Sequence, residues 1–193
     1  MAHRWLVLIP VLLLAGCAGP TPVAEPARFD LGPAVSDVPV LPGVGRVEVN
    51  APSWLGGTAM QYRLGHADAA RRQDYAASRW AAPPAELIER ALARPVASTG
   101  NCRLSVALDE FIQVFDSPQS SRMVLEARVS LLAGQQAIAQ RAFAVAPAAP
   151  SADARGGVAA AAMAVPALAT EMAQWLGRVV ADGQPGAKAC LGK

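Results

Sequence analysis

The sequence predicts an α+β domain: a mainly antiparallel sheet with two helices packed on one face, a two-layer sandwich. Three observations carry this expectation. Segments with strand-like alternation come in runs rather than in strict alternation with helices, which argues against a doubly wound parallel sheet. The segments "CRLSVALDEFIQVFD", "SSRMVLEARVSLL" and "AIAQRAFAV" are joined by hairpin-length connections, as an antiparallel meander requires. The stretches 83–96 and 151–182 carry apolar residues at helical spacing.

The first residues stand apart from the fold. "MAHRW" is a short basic start, and "LVLIPVLLLAG" is an apolar run of about a dozen residues, short of the ~20 that cross a bilayer. Residues 1–16 therefore read as a signal peptide. Leu14-Ala15-Gly16-Cys17 matches the bacterial lipobox, in which small residues fit the signal peptidase and the Cys thiol is acylated; the competing reading is a plain secretory signal cut at an A-x-A-like site. Two or three acyl chains on Cys17, at ~0.8 kcal/mol per buried CH2, would make a stable anchor. The residue after Cys17 is Ala18 rather than Asp, which favours sorting to the outer membrane and places the chain at its periplasmic face. Residues 17–26 form a Pro-rich tether that reaches about 28 Å at ~3.1 Å per residue. Residues 27–193 then make a single domain, a size that supports one core.

Within it, "RFDLGP" is a short strand with a Gly-Pro stop, and "GRVEVNAP" alternates about Val47 and Val49. "TAMQYRL" and "QDYAASRW" are two more strands, joined by a polar loop over Gly65 to Arg72. "PPAELIERALARPV" is a helix, with Pro at its start, acidic residues in its first turn, and Leu87, Ile88, Ala91 and Leu92 on one face. In the next strand Leu104, Val106, Leu108, Ile112 and Val114 share one parity, with Phe111 and Phe115 on the other. Met123, Leu125, Ala127, Val129 and Leu131 alternate with polar residues, so one face meets a core and the other meets water. The last helix spans about Ser151 to Asp182, and Pro166 in its middle predicts a kink or break.

Charge and chemistry exclude several classes. The whole chain carries 17 basic and 15 acidic residues; removing the signal peptide takes away only Arg4, so 16 against 15 leaves +1. No basic stripe for nucleic acid follows from that balance. Beyond Cys17, the chain has Cys102 and Cys190, an even pair in an oxidising compartment, which predicts a disulfide. His66, in a polar loop, is the one histidine after residue 16, so His-rich metal sites and Ser-His-Asp arrangements lack their parts and no cofactor is implied. Asp109 and Glu110, adjacent on a strand, are expected on opposite faces and so make a poor acid/base pair. No enzyme is expected.

The segments "FDLGP" at 29–33, "VEVNAPSWLGGTAMQYRL" at 47–64, "YAASRWAAPPAELI" at 75–88, "LDEFIQVFD" at 108–116 and "SADARGGVAAAAMAV" at 151–165 follow the lipobox in order. On these the sequence resembles the ABC-type transport auxiliary lipoproteins, the family of the lipoprotein in paraquat-inducible transport systems. The resemblance implies a partner role beside a mammalian-cell-entry (MCE) protein and its ABC permease and ATPase, moving lipids or other hydrophobic compounds between membranes. It implies no catalytic residue. A homo-oligomer is left open.

Between Trp54 and Trp80 lie both tyrosines and two of the four tryptophans. Tyr62, Tyr75 and Trp80 are expected in the core or at its edge, filling space under an Ala-rich helix. Trp54 and Leu55 sit between Pro52 and Gly56-Gly57, a loop that can display apolar side chains to a partner or a lipid. For Trp54, Leu55 and Met60, contact and core are both open. Two rival functions remain: a structural lipoprotein supporting outer-membrane or envelope assembly, and a lipid hydrolase that would depend on His66.

Overall fold

The computed structural model describes residues 24–33, 39–94, 96 and 100–191. Its elements are β1 (Ala27–Phe29), β2 (Val44–Asn50), β3 (Ala59–Leu64), β4 (Asp68–Trp80), α1 (Pro84–Ala93), β5 (Cys102–Ser117), β6 (Ser120–Ala133), β7 (Gln136–Val145) and α2 (Ala154–Ala181). Single turns of 3-10 helix form at Ser53–Leu55 and Ala187–Cys190. One seven-stranded sheet runs β1-β4-β3-β5-β6-β7, with β2 also paired to β5.

The α+β class stands, but the sheet is mixed rather than mainly antiparallel. Pairs β1/β4, β2/β5 and β3/β5 are parallel; β3/β4, β5/β6 and β6/β7 are antiparallel. The cause lies in how β5 is flanked. β2 lines its first half, Val44 to Asn50 against Cys102 to Ala107, and β3 lines its second half, Tyr62 to Leu64 against Gln113 to Phe115. The segment 51–58 between them is an excursion that does not reverse the chain, so β2 and β3 run the same way along one edge. After β4 has turned back, α1 makes the crossover to β5 that parallel pairing demands. The 65–72 loop is also shorter than expected, since β4 begins at Asp68.

Parity in β5 changes partway along the strand. Opposite β6, Leu104, Val106 and Leu108 face Leu131, Val129 and Ala127, whereas Phe111, Gln113 and Phe115 face Leu125, Met123 and Ser121. The register slips between Leu108 and Glu110, so a bulge with one extra residue returns Phe111 to the core face and sends Ile112 and Val114 to the other. Asp109 and Glu110 consequently share the outer face, against the expectation of opposite faces.

Both helices contribute to one core on the other side of the sheet. Ile88 and Leu92 of α1 and Ala160, Ala161, Ala164, Leu168, Met172 and Leu176 of α2 are fully buried in it. The alanines let α2 lie close to the sheet. α2 continues through Pro166 without a break. Pro166 is flanked by buried Val165 and Leu168, so packing on both sides offsets the missing hydrogen bond. By length and composition α2 would pass for a membrane span, yet it is the core helix, with half of its apolar window buried.

At the far end of the molecule Cys102, which opens β5, is bonded to Cys190. The Asn101 N–H donates to the Cys190 carbonyl at 3.1 Å, and the Cys102 N–H to the Gly43 carbonyl at 3.1 Å. Gly43, at φ 73°, permits this approach, because a Cβ there would lie 2.9 Å from Cys190 Cβ.

Candidate functional site

The excursion between β2 and β3 holds the most exposed aromatic among the described residues. Pro52 enters the 3-10 turn with φ −66°, its carbonyl accepts from the Leu55 N–H at 2.9 Å, and the Ser53 carbonyl accepts from the Gly56 N–H at 3.1 Å. Gln61 Nε2 holds the Trp54 carbonyl at 3.0 Å, and the Trp80 N–H holds the Thr58 carbonyl at 2.8 Å. Leu55 pins the turn from beneath at 3 % exposure, and Trp54 is 54 % exposed above it. Of the three residues left open between contact and core, Trp54 alone faces outward. Leu55 and Met60, each 3 % exposed, are core, because the turn points Leu55 inward and the strand parity of Met60 is that of the core face. Met60, Tyr75, Trp80, Phe111, Met123 and Gly157 close around a void of about 10 Å³, no more than one water requires.

Behind the turn the outer face of the sheet is a set of paired charges. Glu110 accepts from Arg63 Nη2 at 2.8 Å and from both terminal nitrogens of Arg72 at 2.9 Å, while Arg72 Nη1 also reaches Gln61 Oε1 at 2.8 Å. Gln61 thus links this cluster to the Trp54 carbonyl. Further along, Arg128 grips Asp109 in a fork, and that hydrogen bond holds the Asp109 carboxyl below its usual range. His66 turns Nδ1 to the Phe115 carbonyl at 3.2 Å.

A second polar cluster lies on the core face, under the start of α2. Gln113, 2 % exposed, donates from Nε2 to Ser121 Oγ at 2.8 Å and to the Asp153 carbonyl at 3.0 Å, and its Oε1 accepts from the Tyr75 hydroxyl at 3.0 Å. Burial, then the neighbouring Tyr62 and Asp153, raise the pKa of the Tyr75 hydroxyl, so it stays a neutral donor. Asp153 caps α2, accepting from the Gly156 N–H at 2.7 Å and from Ser151 Oγ at 2.9 Å. A Cβ at Gly157 would overlap Gln113 Oε1, so glycine there lets the helix start sit directly on the sheet. This cluster joins β4, β5, β6 and α2. Sequence reading missed it, although a glutamine inside an apolar strand and a Gly-Gly pair at a helix start were its visible signs.

Cys17 lies outside the described residues, and the Cys102 to Cys190 bond lies near the C-terminus, away from the Trp54 turn.

Together these features define an α+β module that fixes one tryptophan in solvent by means of a packed interior and a paired outer face. A family model described as ABC-type transport auxiliary lipoprotein component matches residues 42–173, more than half of the chain, and the chain belongs to that family. Its fold is similar to that of a crystallised protein from Xanthomonas campestris whose family is designated DUF330, at TM-score 0.61 and 19% identity, over 82% of this chain and 95% of that one. A crystallised uncharacterized protein is similar at TM-score 0.59 and 15% identity, over 79% of this chain and 99% of that one. No curated protein matches the sequence.

Proposed function

We propose that the chain is a non-catalytic auxiliary subunit of an MCE-type ABC transporter. In this reading it is anchored by acylated Cys17 at the periplasmic face of the outer membrane and helps to move lipids or other hydrophobic compounds between membranes. The observation that carries the reading is Trp54, exposed on a turn whose hydrogen bonds and buried Leu55 hold it in place, in a chain that belongs to a transport-auxiliary family. A large aromatic presented at low entropic cost is what a protein interface uses as an anchor. The lipobox and Ala18 support the anchor and its membrane. The apolar side chains behind Trp54 pack on one another rather than lining a chamber, which favours a partner over an enclosed cargo as its contact.

The test is a mild-detergent pull-down of the full-length lipoprotein from its native envelope, with mass spectrometry of proteins and lipids. Recovery of a permease, an ATPase and an MCE subunit is expected. Outer-membrane assembly proteins alone would favour a structural lipoprotein instead. His66→Ala is expected to retain full function in the same envelope; loss of function without loss of folding would revive a hydrolase.

A further inference from the structure

We propose that the free edge of β7 receives an extended strand from a subunit of the transporter, a strand with bulky apolar side chains and a carboxylate placed to meet Arg141. The proposal rests on the auxiliary-subunit reading above.

Edges of a sheet carry a row of unpaired N–H and C=O groups, and proteins usually blunt them. Two of this sheet's edges are blunted. On β2, Glu89 of α1 reaches across and its carboxylate accepts from the Val49 N–H at 2.7 Å. On the same side of β5, past β3 and β4, β1 is three residues long, and the β4 stretch beyond it carries Asp68, Arg71, Arg72 and Asp74. β7 is guarded only by a bulge near its start, where Ile138 is the extra residue opposite Leu131-Leu132, and by one charge. Its ten residues, "QAIAQRAFAV", hold no proline and one charge, and among the described residues its only hydrogen-bonded neighbour is β6. What can satisfy alternate donors and acceptors along such a row is another extended backbone.

The side chains narrow the occupant further. Ala137, Ala142 and Ala144 are small and exposed on the outer face, opposite Leu132, Arg128 and Glu126, and leave room beside the edge there, so a strand with larger side chains packs best on that face. Arg141 lies over the Phe143 ring, 5.1 Å from its centroid, and has no carboxylate partner among the described residues. A second copy fits poorly. Two β7 strands paired along their length about a two-fold would bring Arg141 near its own copy and set alanine against alanine.

The experiment uses the full chain in its native envelope, with the photoreactive residue p-benzoylphenylalanine at Ala142 and, as a control on the same sheet, at Ala76. Irradiation is expected to join the Ala142 position, and not the Ala76 position, to a transporter subunit. Arg141→Glu is expected to reduce recovery of that subunit roughly tenfold at unchanged melting temperature, with Arg141→Lys retaining most of it. Crosslinks only to a second copy or only to lipid would overturn the proposal. So would recovery of the transporter with no crosslink. Failure to recover the transporter at all would overturn the auxiliary-subunit reading, and this proposal with it.

Discussion

Asp153 shows how one side chain sets the start of α2. Its carboxylate accepts from the Gly156 N–H and from Ser151, and these two bonds, in that order, hold its pKa below the usual range. A carboxyl whose folded pKa lies below its unfolded value of ~3.9 contributes stability that is complete above that value. The contribution is lost as pH falls through the lower, folded pKa. Asp153→Ala is therefore expected to lower stability by about 1 kcal/mol at neutral pH, the usual cost of an N-cap. In urea melts the gap between variant and wild type should close as the pH drops below ~4, and a gap that stays constant would mean that the cap is not the source. A helix beginning near Ser151 was legible in "SADARGG", whereas neither the Asp153 cap nor the glutamine beneath it was. Strict alternation from Leu104 puts Gln113 on the outer face, and only the bulge at Asp109-Glu110, invisible without its partner strand, brings it inside. The same bulge misassigned Phe111 and Ile112.

At the scale of elements, both helices and the β5-β6-β7 meander were legible because period and turn length state them directly. Strand direction was not. Alternation reports which face a residue takes, and nothing in "GRVEVNAP" or "TAMQYRL" says that both lie along β5 in the same sense. That follows from α1 carrying the chain across, a matter of where the helix packs. Pro166 is a related case, since propensity alone stops a helix there while burial of Val165, Leu168 and Ala169 carries it through. The cost of the missing bond is still present in the folded state. Pro166→Ala supplies an N–H for the Ala162 carbonyl and relieves the ring's contact with it, so stability should rise by about 1–3 kcal/mol. A rise in urea midpoint would show it, and a fall would mean that the pyrrolidine ring itself fills a site on the helix surface.

Over the whole molecule, apolar surface is divided between interior and display, and the segment 51–58 is where the division is sharpest. Leu55 and Trp54 are neighbours on one turn, one in the core and one in solvent, so the two substitutions should have different signatures. Leu55→Ala removes a buried side chain and is expected to cost about 2–5 kcal/mol, with partner association falling only as the folded fraction falls. Trp54→Ala removes a side chain that is 54 % exposed, so stability should fall by about 1–2 kcal/mol, less than for Leu55→Ala, while association with the transporter weakens beyond what that loss explains. Thermal melts and envelope pull-downs on both variants separate these outcomes. A fall in melting temperature for Trp54→Ala as large as that for Leu55→Ala would place the indole in the core and remove the anchor on which the proposed function depends. A smaller fall with unchanged recovery would leave the turn rigid but idle, and would shift the contact with the transporter to the edge of β7.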